Sequence, residues 1–425
     1  MSNMSVGRVR VLPQATRLWT GDNLSRKLLL RVLSNIRIGS FTIRDGSEVF
    51  RLGRAGVAGE PQAEVTVHNR RVYRKILTGG TIASGEAFIE GDWSTPDLTA
   101  VTRVFSANLQ TLESMQNKQH WTVRAALKLA HLANRNTREG SKRNISAHYD
   151  LGNDFFRLFL DPTMMYSAAL FDDPAATLES ASIAKLDEIC RQLELSADDH
   201  LVEIGTGWGG MAIHAASNYG CKVTTTTISR EQYEYAQEKV RELGLEDRIT
   251  VLCEDYRNLT GKYDKLVSIE MIEAVGHEFY GSYFSTCSKL LKPHGKMVIQ
   301  AITMTDQRYD QARHAVDYIK RYIFPGGCLP SISVIAGHLA EDTDLQMVHL
   351  RDITEDYAET LAEWHRRFND SLDTVRSTGF DERFIRMWQF YLSYCEGGFR
   401  ERIISTVQLS FAKPGYRFPG SLARG

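Results

Sequence analysis

The first part of the chain alternates short apolar and polar stretches. Strands are predicted for FTIRDG, EVFRLG, EVTVHN and RVYRKIL, since β-branched and aromatic residues there are separated by Gly, Asn and Asp. The next segment, IASGEAFIEGDWSTPDLTAVTRVFSANL, predicts a turn followed by a helix. Together these elements predict a small α+β domain within residues 1–120.

From about residue 180 the pattern changes to alternating strands and helices. Buried strands are predicted for HLVEIG, KVTTTTIS, ITVLCED, DKLVSIEM and GKMVIQAIT, and helices for GMAIHAASNYG, REQYEYAQEKVRELG and EFYGSYFSTCSKLLKP. After an insertion over about 304–345, LQMVHLRDI and STVQLSFAKP predict two late strands. Residues 121–425 are therefore predicted to form an α/β domain, with a doubly wound, mostly parallel Rossmann-like sheet and helical insertions.

A polar and basic segment, about residues 111–142, connects the two parts. Its WTVRAALKLAHLA portion is amphipathic. The cations of the segment and its border are Lys118, Arg124, Lys128, Arg135, Arg138, Lys142 and Arg143. The segment is predicted to be helical, and a basic amphipathic helix is equally typical of a membrane-surface segment and of a solvated connector.

The composition narrows the class of protein. Hydrophobic residues make up 43% and charged residues 24%, which is typical of a globular chain. Lys and Arg number 51 against 52 Asp and Glu, so net charge does not indicate a nucleic-acid partner. The six cysteines form no C-x-x-C pair, so we expect no zinc or redox motif and a cytoplasmic location. We also expect no signal peptide and no spanning segment.

A glycine-rich loop follows the first strand of the second domain. It reads EIGTGWGG, from Glu203 to Gly210, with the spacing G-x-G-x-G instead of the G-x-G-x-x-G of dinucleotide sites. Residues 224–227 are all Thr, so the carboxylate expected to bind a dinucleotide ribose is missing. The loop therefore favours a methyltransferase. After the next strand, Ser229 and Gln232 predict a capping box, and Thr227 and Gln232 are also candidates for cofactor contact.

Longer blocks resemble the cyclopropane fatty acid synthase family, which includes the cyclopropane-fatty-acyl-phospholipid synthases and the mycolic acid cyclopropane synthases. These are NISAHYDLGNDFFRLFLDPTMMYSAALF, VEIGTGWGG, TISREQ, EDYRNL, MIEAVGHEFY and YIFPGGCLP, in family order between about 140 and 412. SGEAFIEGDW resembles, more loosely, the family's N-terminal domain, which is thought to engage lipid. The resemblance implies an S-adenosylmethionine-dependent enzyme that adds a methylene group to the cis double bond of a phospholipid acyl chain, forming a cyclopropane ring.

The resemblance and the loop together give the expected cofactor contacts. These are Tyr166, Ser167, Glu203, Gly205, Gly207, Trp208, Gly209, Thr227, Gln232, Asp255 and Tyr256. Two of them have a structural alternative: Tyr166 is also typical of a core aromatic, and Asp255 of a loop cap. No metal is expected.

In the family a bound bicarbonate is thought to be the base that removes a proton before the ring closes. The matching residues here are Glu273, Tyr357, Cys395, Gln300 and the backbone amide of Ile302. The alternatives are a buried structural thiol for Cys395 and a helix-terminal carboxylate for Glu273.

Two positions depart from many bacterial members of the family. Ala168 stands where they have Cys, and Gln300 stands where they have His. In the family's reaction, methyl transfer leaves a carbocation on the acyl chain. A displaced base would change what that carbocation becomes, so methyl- or methylene-branched products remain an alternative to the ring. A lipid-binding homologue without activity is a third reading.

The resemblance also implies the partners and the location. We expect unsaturated phospholipid acyl chains at the membrane surface, no nucleic acid, and peripheral attachment to the inner face of the membrane. A homodimer is compatible with the sequence.

Overall fold

The computed structural model describes residues 15–116 and 151–417. The chain divides into two compact units, residues 1–120 and 121–425. The basic segment that runs from Lys118 to Arg143 lies outside the described residues. Within the described part of the chain, no helix combines the length and the apolar character that crossing a membrane requires.

The first unit is a four-stranded sheet with helices, as the α+β prediction requires. Its strands pair in the order β2-β1-β3-β4, with β1 parallel to β3 and antiparallel to β2. In chain order its elements are α1 (Ala15–Leu33), β1 (Ser40–Asp45), β2 (Glu48–Gly53), β3 (Gln62–Val67), α2 (Arg71–Ile89), β4 (Trp93–Ser94), α3 (Leu98–Ala107) and α4 (Leu109–Gln116).

The strand predicted for RVYRKIL is wrong, because these residues begin helix α2. Val72 and Tyr73 are buried, and the apolar residues Ile76 and Leu77 follow them four positions later. This helical spacing outweighs the strand propensity of the individual residues. The helix continues through the segment predicted to be a turn and bends at Gly80, whose φ is 59°. Only a glycine adopts that backbone conformation readily.

The second unit is built on a seven-stranded sheet in the order β10-β11-β9-β8-β5-β6-β7. Strands β5 to β9 are parallel to one another, and β11 runs antiparallel between β9 and β10, which confirms the doubly wound, mostly parallel sheet. The strands are β5 (His200–Ile204), β6 (Lys222–Thr227), β7 (Ile249–Cys253), β8 (Tyr263–Ile269), β9 (Leu291–Met304), β10 (Gln346–Asp352) and β11 (Ile404–Ala412).

Helices accompany the sheet and form the insertion. The helices are α5 (Asn153–Arg157), α6 (Leu178–Leu193), α7 (Gly210–His214), α8 (Arg230–Glu242), α9 (Tyr280–Leu290), α10 (Asp306–Ala312), α11 (Tyr318–Tyr322), α12 (Ile332–Asp342), α13 (Thr354–Asp370), α14 (Leu372–Ser377) and α15 (Glu382–Arg400). Two apolar clusters form the core of this unit, one around Leu266 and Phe284 and the other around Leu201 and Met211.

The strand order changes direction at β5. From β5 the chain moves outward through β6 to β7, and then returns to place β8 on the opposite side of β5. In a parallel sheet, the connections that leave two such neighbours diverge and open a crevice at the carboxyl ends of the strands. The loops after β5 and β8 therefore line the expected ligand site.

Candidate active site

The glycine loop after β5 has a backbone that requires glycine. Gly205, Gly207 and Gly209 have φ values of 101°, 52° and 92°, all in the region that other residues rarely adopt. The backbone N–H groups of Gly205 and Thr206 both donate to the Thr226 carbonyl at 3.0 Å, which ties the loop to β6. A Cβ added at Gly207 would meet no atom within 4 Å, so the loop faces open space there.

Glu203 lies in β5, directly before this loop, and is buried. Its carboxylate accepts a 2.6 Å hydrogen bond from the Thr225 hydroxyl. Burial raises the pKa of Glu203 to about 8, although the Thr225 bond and the Lys185 charge act in the opposite direction. The structure therefore places Glu203 in the sheet, where it supports the strand that carries the loop.

Thr227 and Gln232 lie together at the carboxyl end of β6. The Ser229 hydroxyl caps helix α8 by accepting a hydrogen bond from the Gln232 backbone N–H, as the capping box predicts. The second half of the capping box is wrong: the Ser229 N–H donates to the Thr227 hydroxyl at 3.1 Å, and the Thr227 hydroxyl donates to the Gln232 side-chain oxygen at 2.9 Å. The two expected cofactor contacts are thus joined to each other.

Asp255 follows β7 and binds a neighbouring arginine. Its carboxylate accepts from the Arg257 backbone N–H at 3.0 Å and from the Arg257 Nε at 2.8 Å, so Asp255 caps the short turn over Tyr256–Asn258. The Tyr256 ring meets Tyr283 edge-on, with centroids 5.6 Å apart. Asp255 therefore caps this turn, and its contact with the cofactor stays a prediction.

Aromatic side chains from several helices meet around Tyr166. The Tyr166 and Tyr391 hydroxyls are 2.8 Å apart, and the Tyr166 ring lies 5.2 Å from Trp364 and 5.3 Å from Phe156. Trp208 extends this cluster to the glycine loop, since its ring lies 5.0 Å from Phe156. Aromatic faces of this kind attract positive charge.

The Trp208 indole also fixes the helix before Tyr166. Its N–H donates a 2.6 Å hydrogen bond to the Asn153 side chain in α5. This hydrogen bond therefore ties the glycine loop to the start of α5.

Ser167 meets a lysine that the sequence analysis missed. The fully buried Lys185 of α6 donates to the Ser167 hydroxyl at 2.8 Å. Burial lowers the pKa of Lys185 to about 8, and the nearby charges of Glu270, Asp161 and Glu203 act against that fall. The signal was present in the sequence, because Lys185 occupies a position on the apolar stripe of α6.

Glu270, directly after β8, is the second site residue that the sequence did not indicate. Its carboxylate accepts three hydrogen bonds. Its Oε1 accepts hydrogen bonds of 2.8 Å from the Ala168 backbone N–H and from the Gln300 amide. Its Oε2 accepts a 2.8 Å hydrogen bond from the Tyr357 hydroxyl. Burial raises the pKa of Glu270, and these three donors together with Lys185 limit the rise.

Two further glutamines hold the Gln300 amide in one orientation. The Gln300 oxygen accepts from Gln408 at 3.0 Å, and the Gln408 oxygen accepts from Gln192 at 2.8 Å. The NH2 group of Gln300 is therefore the end that faces Glu270.

Glu273 and Ile302, two of the expected anion-site residues, bond each other directly. The Ile302 backbone N–H donates to Glu273 Oε1, and Glu273 Oε2 is buried with no partner among the described hydrogen bonds. Burial, followed by the negative charge of Glu270, raises the pKa of Glu273 to about 8. Glu273 is therefore mostly uncharged at neutral pH.

Cys395 lies on α15 and is half-buried. Burial raises the pKa of its thiol well above the usual range, so the thiol is neutral. Of the expected anion-site residues, Tyr357 and Gln300 thus meet at Glu270, and Glu273 meets the Ile302 backbone.

Known proteins resemble this chain over most of its length. Residues 136–409 match the family described as Mycolic acid cyclopropane synthetase. The tuberculostearic acid methyltransferase UfaA1 of Mycobacterium tuberculosis is 37% identical over 376 residues, covering 86% of this chain and 87% of the relative. The cyclopropane-fatty-acyl-phospholipid synthase of Escherichia coli is 36% identical over 367 residues, covering 85% and 91%.

Solved structures give the same result for the second unit. The mycolic acid cyclopropane synthase CmaA1, complexed with SAH and CTAB, superposes with a TM-score of 0.60 at 30% identity. That match covers 64% of this chain and 98% of the CmaA1 chain.

Proposed function

Since the chain belongs to the mycolic acid cyclopropane synthetase family of S-adenosylmethionine-dependent methyltransferases, we propose that it adds a one-carbon unit to the cis double bond of a phospholipid acyl chain. One observation supports this most strongly. The glycine loop after β5 and the polar cluster around Glu270 after β8 lie on the two strands that border the crevice. A cofactor and a reactive acyl carbon can therefore be held side by side.

S-adenosylmethionine fits the loop after β5, because three glycines with positive φ leave open space at Gly207. We assign the cofactor contacts to the loop glycines, to Thr227 and Gln232 at the end of β6, to Asp255 and Tyr256 after β7, and to Tyr166 and Ser167 before α6. Glu203 and Trp208 are also among the expected contacts, and we assign them a supporting role instead, through Thr225 of β6 and Asn153 of α5. When bound, the cofactor supplies an electrophilic methyl carbon and leaves with the electron pair of the broken C–S bond.

The residues around Tyr166 suit the acyl chain. The π electrons of the double bond form the new C–C bond, which leaves a positive charge on the neighbouring acyl carbon. The aromatic faces of Tyr166, Tyr391 and Trp364 stabilise such a charge and exclude water from it. Removal of a proton from the added methyl group then closes a cyclopropane ring.

A branched product is the second candidate, and two observations favour it. Ala168 and Gln300 replace the Cys and His of many family members, and a tuberculostearic acid methyltransferase is 37% identical to this chain. If a hydride first shifts from the methyl-bearing carbon to the cationic carbon, loss of a methyl proton gives a methylene branch. Reduction of that methylene group by a partner enzyme then gives a methyl branch.

Phospholipid substrates imply work at the membrane surface, so we propose peripheral attachment at the inner face of the membrane. The first unit and the basic segment that begins at Lys118 are the candidate contacts. Co-sedimentation with anionic phospholipid vesicles, comparing the full chain with a chain that lacks residues 1–140, tests this assignment. Equal binding by both proteins would exclude this region.

Expression in a bacterial host with unsaturated phospholipids and no synthase of its own tests the proposed function. Extracted lipids are analysed by mass spectrometry for chains that gain one carbon, and by NMR for ring, methylene and methyl signals. The proposal expects ring protons at the former double bond. Unchanged acyl chains, with the folded protein present in the cells, would contradict it.

A further inference from the structure

Two of the donors that the family resemblance assigns to bicarbonate, Tyr357 and Gln300, already hold a carboxylate of this chain. Tyr357, Gln300 and the Ala168 backbone each donate to Glu270 at 2.8 Å. The Gln408 contact directs the Gln300 NH2 group toward Glu270. A separate bicarbonate would have to displace Glu270 to use the same donors, so bicarbonate does not fit this arrangement.

The backbone of Glu270 has an energetically unfavourable conformation. Its φ is 48°, a left-handed conformation that costs a residue with a side chain about 1–2 kcal/mol. Strain of this kind persists only where surrounding contacts enforce it, and it concentrates at functional sites. Here the Glu270 backbone N–H donates to the Gln300 carbonyl at 2.8 Å, so the end of β8 and β9 together hold the residue in place.

We propose that Glu270 is the catalytic base of this enzyme and that its carboxylate takes the place of the bicarbonate used by other family members. The inference rests on the methyl transfer proposed above. After the new C–C bond has formed, Glu270 accepts a proton from the added methyl carbon. The electron pair of that C–H bond forms the second bond to the cationic acyl carbon, which closes the ring. Glu270 is then a neutral acid and returns its proton to solvent before the next turnover.

Two features make Glu270 a better base than Glu273. Glu270 has three hydrogen-bond donors and the nearby positive charge of Lys185, which favour its ionised form. Glu273 has two backbone donors, its own N–H and that of Ile302, and the negative charge of Glu270 raises its pKa, so Glu273 keeps its own proton. Like charges placed close together separate the pKa values of two carboxyl groups, and the group that stays ionised is the base.

The test uses the purified full-length chain with S-adenosylmethionine and vesicles of cis-monounsaturated phospholipid, in buffer stripped of carbon dioxide. The wild-type protein should release S-adenosylhomocysteine at the same rate with and without added bicarbonate. Glu270→Gln should lower that rate on the order of 100-fold, since one preorganised polar group is lost. Its affinity for S-adenosylhomocysteine, measured by calorimetry, should change less than threefold.

Glu270→Ala gives the sharper result, because it opens a space the size of a carboxylate beside the same donors. Added bicarbonate or formate should restore part of its activity and none of the activity of Glu270→Gln. Asp356→Asn is the matched control: Asp356 precedes Tyr357 on α13 and bonds the Phe171 backbone outside the cluster, so it should keep normal activity.

Binding of 13C-labelled bicarbonate, followed by NMR, gives a readout that does not depend on turnover. Saturable binding should be seen for Glu270→Ala and not for the wild-type protein. Saturable binding by the wild-type protein, or a wild-type rate that requires bicarbonate, would overturn the inference. If no protein turns over any unsaturated lipid, the proposed function fails, and the bicarbonate measurement still decides whether Glu270 occupies the anion position.

Discussion

The Gln408 side chain donates a 3.0 Å hydrogen bond to the side-chain oxygen of Gln300, and this contact decides which end of the Gln300 amide faces Glu270. An amide has a donor end and an acceptor end of nearly equal size. Only the donor end stabilises a carboxylate. A glutamine on the antiparallel strand β11 therefore controls a group that contacts the proposed base.

Replacing Gln408 with Leu should lower ring formation about tenfold, because the buried Gln300 oxygen loses its donor, which costs about 1–3 kcal/mol, and the amide is then held less firmly beside Glu270. Gln300→His should be tolerated, since an imidazole N–H can donate to Glu270. Gln192→Leu, one step further along the same chain of amides, is the graded control and should have a smaller effect. Equal losses in the Gln408 and Gln192 variants would indicate a general packing defect.

Lys185→Met should move the acid limb of the pH–rate profile to higher pH. The Lys185 charge favours the ionised form of Glu270, so its removal raises the pKa of Glu270 further. A base with a higher pKa is protonated, and therefore inactive, over a wider range of pH. The initial rate measured from pH 5 to pH 9 gives the shift, with Lys185→Arg as the charge-preserving control. An unshifted profile at a lower rate would mean that Lys185 has only a structural role.

Glu273 should make the protein less stable as the pH rises. Its pKa is about 8 in the folded protein against 4.5 for an ordinary glutamate, so between these values the folded state binds a proton that the unfolded state releases. The free energy of unfolding then falls with pH across that range. In Glu273→Gln this contribution disappears, so urea unfolding at pH 5 and at pH 8 should differ less than in the wild-type protein. Parallel behaviour of the two proteins would show that Glu273 titrates normally.

Cofactor selectivity should follow from the glycine loop. Calorimetry should detect S-adenosylmethionine and S-adenosylhomocysteine but not NAD. Gly207→Val should weaken S-adenosylhomocysteine binding at least tenfold, because a branched side chain at φ 52° strains the loop and projects into the open space beside it. Circular dichroism should confirm an unchanged fold. NAD binding without S-adenosylmethionine binding would contradict the assignment of the loop.

The sheet of the second unit could be predicted because its strands are buried, apolar and separated by clear helical patterns. The helix that begins at Arg71 could not, since its β-branched and aromatic residues suggest a strand and its glycines suggest a turn. Burial of Val72 and Tyr73 on one helical face overrides both local signals.

The sequence also predicts part of the site. Family blocks identified Tyr357 and Gln300, which both donate to Glu270, and Glu273, which accepts from the Ile302 backbone. Glu270 was not identified, although it lies three positions before Glu273, because its role depends on a left-handed backbone and on donors from three distant segments. The Gln192–Gln408–Gln300 contacts likewise join α6, β11 and β9, and no local pattern encodes such a meeting.

The most direct test of the proposed methyl transfer uses the purified protein, S-adenosylmethionine with a fully deuterated methyl group, and vesicles of either cis-monounsaturated or saturated phospholipid. Mass spectrometry of the released acyl chains shows where the label goes. The account predicts label only on the unsaturated chain, as one added carbon that keeps two deuterium atoms because the third is removed as the ring closes. Label on the saturated chain or on the head group, or no label in either lipid, would contradict it.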